Sequence, residues 1–163
     1  MTMKMTEISK VRTCLWFDDN ALAAARFYCG LLSDSQIQSI ERYSEGQEMA
    51  EPGTVSLVEF TLAGTPYQAI NGGPHFKLDE AVSISVATED QAETDRLWEA
   101  LIAGGGAESQ CGWLKDRFGL SWQIVPRQSI ELMYGPKAAR VWPALMQMKK
   151  IDIAALEAAA EAP

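Results

Sequence analysis

Basic residues, cysteine and histidine are all scarce in this sequence of 163 residues. Lys and Arg number 14 against 22 Asp and Glu, so the formal net charge is -8 and the pI is near 4.7. An acidic chain without a basic cluster repels a phosphate backbone, and we expect no nucleic-acid partner. Three cysteines without CxxC spacing indicate neither a disulfide framework nor a zinc knuckle.

Long hydrophobic runs are also missing. The N-terminal "MTMKMTEISK" lacks the apolar core of a secretory signal, and no stretch approaches the roughly 18 apolar residues of a membrane span. The hydrophobic share of 47% is nevertheless that of a globular protein. We therefore expect a single domain over residues 1–163 that is cytoplasmic and has no membrane partner, because free thiols suit a reducing compartment.

One order of elements occurs twice along the chain. Residues 10–71 have the alternation, turn residues and helical spacing of a β-α-β-β-β module, with Ala63-Gly64 as a hairpin turn. Residues 81–126 repeat that order and end in the hairpin "CGWLKDRFGLSWQIVP". Its charged residues Lys115, Asp116 and Arg117 are expected to be solvated, although the basic pair could draw an anionic ligand to the rim. Residues 127–163 are rich in Ala, Leu and Met and predict helices interrupted by Pro136 and Pro143.

Two sequence shifts support a duplication. A shift of 70 residues aligns "TCLWFDDNALAAARFYCGLL" with "SISVATEDQAETDRLWEALI". A shift of 55 residues aligns "GTPYQAI" with "GLSWQIV" and places Gln68 on Gln123. The predicted fold is α+β, with two β-α-β-β-β modules forming a curved, cup-shaped mixed sheet and a helical C-terminal extension.

Several segments together resemble one family. "VRTCLWFDD", "ARFYC", "AINGGP", "DRLWEAL", "CGWLKDRFGLSWQIVP" and "MKKIDIAALEAA" look like the PhnB-like, demethylubiquinone methyltransferase-like branch of the vicinal oxygen chelate superfamily. This superfamily includes glyoxalases, bleomycin-resistance proteins and extradiol dioxygenases. The resemblance implies a glyoxalase-type fold, a homodimer and a cup that holds a divalent metal through four inward positions.

Carried onto this sequence, those four positions are Thr13, Gln68, Ser83 and Gln123. None of them is charged, whereas catalytic metal sites use imidazole, thiolate or carboxylate ligands. We therefore expect no metal and no cofactor, and the four residues become candidates for a polar ligand pocket.

Strand patterns add further candidates. In "AVSISVA" the serines alternate with apolar residues, so Ser83 and Ser85 are expected to face the cavity together. Counting outward from Ala63-Gly64 pairs Glu59 with Gln68, which makes Glu59 a candidate general acid or base. A merely structural or solvated Glu59 is the competing interpretation.

Other candidates have weaker support. His75 is the only histidine and lies in a loop that could reach the cup, although an exposed histidine without a role is the simpler interpretation. Trp113 is a candidate for stacking on a ligand or for packing, while Trp16 and Trp98 are expected between helix and sheet. Cys111 has no evident base partner and is expected to be a packed thiol.

The sequence favours a small-molecule pocket without a metal and leaves binding and catalysis undecided. A metal-dependent glyoxalase or dioxygenase is one alternative, although the ligands it needs are missing. The methyltransferase of the family label is another, but Gly104-Gly105-Gly106 follows a predicted helix instead of opening one, so no cofactor loop is evident. A dimeric structural module without catalysis is the last alternative.

Overall fold

The computed structural model describes residues 8–162, which divide into two compact units. The first unit ends at Leu78 and the second begins at Asp79. Each contains one four-stranded mixed sheet. Within residues 8–162 no helix is long and apolar enough to cross a membrane. Most of the N-terminal stretch in which we expected no signal peptide lies outside the described residues.

The first unit has the predicted β-α-β-β-β order. Its elements are β1 (Thr13–Phe17), α1 (Ala21–Cys29), β2 (Gln36–Arg42), β3 (Val55–Leu62) and β4 (Thr65–Asn71). The strand order is β1-β4-β3-β2, with β1 parallel to β4 and the other neighbours antiparallel. Apolar residues of α1 and the sheet form the core, because one face of each strand lies against the helix.

The predicted turn at Ala63-Gly64 is confirmed. Both residues have positive φ, 46° and 76°, as a two-residue hairpin turn requires. Glu59 lies opposite Gln68 in the resulting register. Because paired residues share a face, the turn places both side chains on the same side of the sheet.

Two details of the first unit concern the start of α1 and Trp16, and the second corrects the expectation that the Trp16 ring lies between helix and sheet. The first backbone N–H of α1, on Ala21, donates to Oδ1 of Asn71 at 2.8 Å, and Asn20 makes no side-chain cap. Trp16 alternates with Leu15 and Phe17, the two residues buried on the helix side, so its ring lies on the opposite face. A Cβ atom on Gly72 would come within 2.2 Å of that ring, which explains why the position is glycine.

The second unit repeats the order and adds three helices. Its elements are β5 (Ser83–Thr88), α2 (Gln91–Ile102), β6 (Ala107–Glu108), β7 (Trp113–Lys115), β8 (Ser121–Pro126), α3 (Arg127–Tyr134), α4 (Ala138–Leu145) and α5 (Ile153–Glu161). The strand order is β5-β8-β7-β6, with β5 parallel to β8. Trp98 is buried on α2, as predicted, and its indole N–H donates to Glu108 at 3.0 Å.

The closing hairpin is present, but Asp116 does not behave as a solvated charge. Asp116 is only 3% exposed. Its carboxylate accepts hydrogen bonds from the backbone N–H of Phe118 and Leu120 and from the indole N–H of Trp122, at 2.8, 3.1 and 2.9 Å. A carboxylate with three donors replaces the hydration that it loses on burial. Asp116 thus holds the turn that precedes β8.

The C-terminal helices follow the prediction except at one proline. Pro136 lies between α3 and α4, but Pro143 lies inside α4, two residues before the helix ends at Leu145. Asp152 caps α5, because its Oδ1 accepts from the N–H of Ala155 at 3.0 Å. The helices bury their own apolar cluster, which contains Met133, Val141, Leu145, Ile151, Leu156 and Ala160.

Candidate functional site

Polar side chains collect on the face of the second sheet that points away from α2. Ile84, Trp122 and Ile124 are buried on the α2 side. The alternate residues, Ser85 on β5 and Gln123 on β8, lie directly opposite each other in the parallel register. The sequence "AVSISVA" predicted this arrangement, because its serines alternate with apolar residues. The structure has the same alternation along β5.

Four of the predicted pocket residues come together here. Nε2 of Gln123 donates to Oγ of Ser83 at 2.8 Å. Trp113 on β7 is the antiparallel partner of Gln123, and Ser85 is its parallel partner. A hydrogen bond therefore orients the glutamine amide, with a hydroxyl on one side and an indole ring on the other.

A cavity of about 310 Å³ lies over this face, and we call it the Gln123 pocket. The sheet and the turn before β7 supply half of its lining: Ser85, Ala87, Cys111, Trp113, Gln123 and Val125. The C-terminal helices and the segment after them supply the rest: Ile130, Met133, Tyr134, Trp142, Leu145 and Ile151. The sheet side thus carries the polar groups of Ser85 and Gln123, and the helical side is mostly apolar. No lining residue is Asp, Glu, Lys, Arg or His.

The turn before β7 joins the helical extension to the sheet. The backbone N–H groups of Cys111 and Gly112 donate to the carbonyls of Met148 and Lys149 at 2.8 and 2.7 Å. Gly112 has a φ of 84°, and a Cβ atom there would lie 2.9 Å from the carbonyl oxygen of Ile124. The thiol of Cys111 donates to the carbonyl of Leu145 at 3.6 Å, which agrees with a packed cysteine.

The first unit contains a different polar cluster, built around Arg12. The guanidinium Nε donates to Oε1 of Glu59 at 3.0 Å and to Oε1 of Gln68 at 3.2 Å. The Glu59 side chain is 8% exposed and that of Arg12 is 25% exposed. Glu59 and Gln68 are therefore adjacent, as predicted, and both are held by a cation that the sequence analysis did not single out.

Thr13 does not join this cluster. It precedes the buried Leu15 and Phe17 by the strand period of two, so it belongs to their face of β1. Cys14 is the residue opposite Gln68. The position two residues before Cys14 is Arg12, just as Ser83 stands two residues before Ser85. The signal available in the sequence was this alternation, which places Arg12 and Cys14, not Thr13, on the Gln68 face.

These donors do not fit a divalent metal. The Gln68 oxygen already accepts from the Arg12 guanidinium, and a second cation at that oxygen would be repelled by it. Gln123 and Ser83 offer only neutral oxygen and nitrogen atoms, whereas Zn²⁺ sites use imidazole, thiolate or carboxylate. No group of three His, Cys, Asp or Glu is arranged to hold a metal ion anywhere in residues 8–162.

His75 lies apart from both clusters. It borders an open cavity of about 1000 Å³ in the first unit, beside Trp16 and Tyr43. No hydrogen bond links it to Glu59 or Gln68 in the described part of the chain. The role of His75 as a loop residue that reaches the cup stays a prediction from the sequence.

The fold defines a class of protein built from two β-α-β-β-β units, each with a polar face on its mixed sheet. Residues 9–125 match the family model of 3-demethylubiquinone-9 3-methyltransferase. The chain belongs to this family, which confirms the resemblance found in the sequence. Comparison with curated proteins gives no match.

The chain is also similar to several solved structures. The chain is 32% identical to a Bacillus cereus PhnB protein described as a 3-demethylubiquinone-9 3-methyltransferase, with a TM-score of 0.66 over 72% of this chain and 99% of that one. Protein PA1353 from Pseudomonas aeruginosa is 20% identical, with a TM-score of 0.60 over 73% and 98%. A glyoxylase/bleomycin resistance protein/dioxygenase domain from Frankia sp. EAN1pec is 16% identical, with a TM-score of 0.45 over 74% and 93%.

The glycine run does not form a cofactor loop after a strand. Gly104 and Gly105 have φ values of 72° and 119° and follow the end of α2. A Cβ atom on Gly106 would lie 2.6 Å from the Cα of Ile102 and 2.8 Å from the carbonyl oxygen of Lys115. These glycines therefore end the helix and let the chain pass close to β7.

Proposed function

We propose that the protein binds a small organic molecule in the Gln123 pocket, without a metal ion. The polar group of the ligand would bond to Gln123 and Ser85, and its body would lie against Trp113. The observation that carries this proposal is that an oriented amide, a hydroxyl and an indole ring border one cavity. Small-molecule sites are usually lined by apolar side chains with a few polar groups among them.

The size and order of the pocket support this proposal. A cavity of about 310 Å³ lies at the lower end of the volumes that small-molecule sites have. The hydrogen bond to Ser83 holds the amide of Gln123 before any ligand arrives. A preorganised polar group loses little freedom on binding, so more of its interaction energy contributes to affinity.

Binding is favoured over acid–base catalysis at this pocket. Its lining contains no carboxylate, imidazole or amine. Glu59, the candidate base from the sequence, belongs to the first unit, where Arg12 holds it in an ion pair. Of the side chains that transfer protons in enzymes, the lining has only Tyr134 at its mouth and Cys111, whose thiol donates to the carbonyl of Leu145.

A substitution of Gln123 tests the proposal. A panel of small polar aromatic and aliphatic compounds is screened by thermal shift, since a ligand that binds the native state raises the melting temperature. For the compounds that bind, Gln123→Leu should weaken affinity about 3- to 10-fold, because one hydrogen bond is lost. Gln36→Leu applies the same change to an exposed residue of β2 and should leave affinity unchanged.

Two outcomes of this screen would reject the pocket. One is that no compound in the panel shifts the melting temperature. The other is that binding survives Gln123→Leu and is lost in Gln68→Leu, which would move the site to the first unit.

We also propose, as predictions from the sequence, that the protein is a homodimer and that it acts in the cytoplasm.

A further inference from the structure

The apolar half of the Gln123 pocket comes from a part of the chain that lies outside the residues matched by the family model. The family model ends at Val125, just before α3. The Bacillus cereus and Pseudomonas aeruginosa structures match over 99% and 98% of their own lengths, yet over only 72% and 73% of this chain. The helices α3 to α5 therefore lie beyond the residues that the family model matches.

These helices place aromatic rings at the pocket. The rings of Tyr134 and Trp142 meet edge to face, with centroids 6.3 Å apart. The indole N–H of Trp142 donates to the carbonyl of Met133 at 2.9 Å, which fixes the ring. Tyr134 and Trp142 are 76% and 39% exposed although they line a cavity. They stand at its mouth, where an incoming molecule can contact them.

We propose that α3 and α4 are a specificity element that makes the Gln123 pocket select an uncharged molecule with one or two rings. This inference rests on the proposed function. A charge entering the pocket would lose its hydration and meet no opposite charge among the lining residues. Ring faces and edges offer favourable contacts to a second ring. An apolar cavity of about 150 Å³ holds benzene, and the Gln123 pocket is roughly twice that size.

The test uses two probes of the same shape on the full chain. 2-Naphthol is uncharged at neutral pH, and 2-naphthoate carries a carboxylate on the same ring system. Isothermal titration should give binding of 2-naphthol and at least about tenfold weaker binding of 2-naphthoate. Trp142→Leu and Tyr134→Ser should each weaken 2-naphthol binding about 3- to 10-fold.

Matched controls separate the extension from general effects. Phe76→Ser removes an exposed aromatic ring from the first unit and should leave 2-naphthol binding unchanged. Circular dichroism and urea unfolding check that Trp142→Leu and Tyr134→Ser remain folded. Tyr134 is the safer variant for this purpose, because most of its side chain is already exposed.

Each outcome decides the inference. Equal affinity for both probes overturns the specificity role and leaves the proposed function standing. The same conclusion follows if 2-naphthol affinity falls in Gln123→Leu but is unchanged in Trp142→Leu and Tyr134→Ser. Failure of wild type to bind 2-naphthol overturns the specificity role, while other compounds of the panel still test the proposed function. If the affinity for 2-naphthol is unchanged in Gln123→Leu, Trp142→Leu and Tyr134→Ser, both proposals are overturned.

Discussion

At the scale of single residues, Arg12 is the charged partner of Glu59 in the first unit. Its guanidinium lies against Glu59, which is only 6% exposed, and against the amide of Gln68. A buried carboxylate needs a partner because it has lost most of its hydration. Arg12 supplies that partner at the strand position that Ser83 occupies in the second unit.

Removal of Arg12 should therefore destabilise the fold. Arg12→Met leaves the Glu59 carboxylate buried without its cation, and we expect a loss of about 2 kcal/mol in the free energy of unfolding. This value lies below the range for fully buried pairs because Arg12 is one-quarter exposed. Urea unfolding followed by tryptophan fluorescence measures the loss.

The double variant Arg12→Met/Glu59→Gln provides the control for this prediction. It removes both charges and should recover at least half of the lost stability, since a neutral amide costs less to bury than an unpaired carboxylate. If the single and double variants are equally destabilised, the ion pair is not what Arg12 contributes. Packing of its alkyl chain would then account for the loss.

At the scale of elements, two ion pairs link the segment between α4 and α5 to α2 and β6. Lys149 pairs with Glu108, and Lys150 pairs with Asp95. The hydrogen bond from Trp98, followed by that from Lys149, holds the pKa of Glu108 below its ordinary value of 4.5. The same ionised carboxylate thus binds both the α2 indole and the segment that precedes α5.

The lowered pKa of Glu108 predicts how acid affects the protein. A carboxyl group with a depressed pKa in the folded state stabilises the fold above its unfolded pKa, and this contribution is lost as the pH falls through the folded value. Between about pH 6 and about pH 3 the melting temperature of wild type should therefore fall further than that of Glu108→Gln. Glu157→Gln, which changes a residue on α5, is the control.

Parallel melting curves for wild type and Glu108→Gln across this range would contradict the assignment. They would mean that the hydrogen bonds of Glu108 are equally strong in its protonated and ionised forms. The opposite order, with Glu108→Gln more sensitive to acid, would indicate that Glu108 is repelled by neighbouring carboxylates.

At the scale of the whole molecule, the net charge of -8 bears on the predicted homodimer. Two copies repel each other at low ionic strength, and salt screens that repulsion. Sedimentation equilibrium should therefore give a mass of twice 17.9 kDa, with the dimer fraction rising as salt is added. A mass of 17.9 kDa at every salt and protein concentration would reject the homodimer.

Much of the fold could be predicted because local patterns and tertiary structure agree. The Ala63-Gly64 turn determined the pairing of Glu59 with Gln68, and the alternation in "AVSISVA" determined which serines face the pocket. Counting along the family pattern to Thr13 was off by one residue, and in a strand one residue changes the face.

The sequence by itself determined the two β-α-β-β-β units and the register of the Ala63-Gly64 hairpin. These follow from periodicities of two and 3.6 residues and from turn chemistry, which act over short distances along the chain. Only the tertiary structure decided that Asp116 is buried, that Arg12 holds Glu59, and that Tyr134 and Trp142 border the Gln123 pocket. Those contacts join segments brought together by the burial of apolar surface, which no local pattern records.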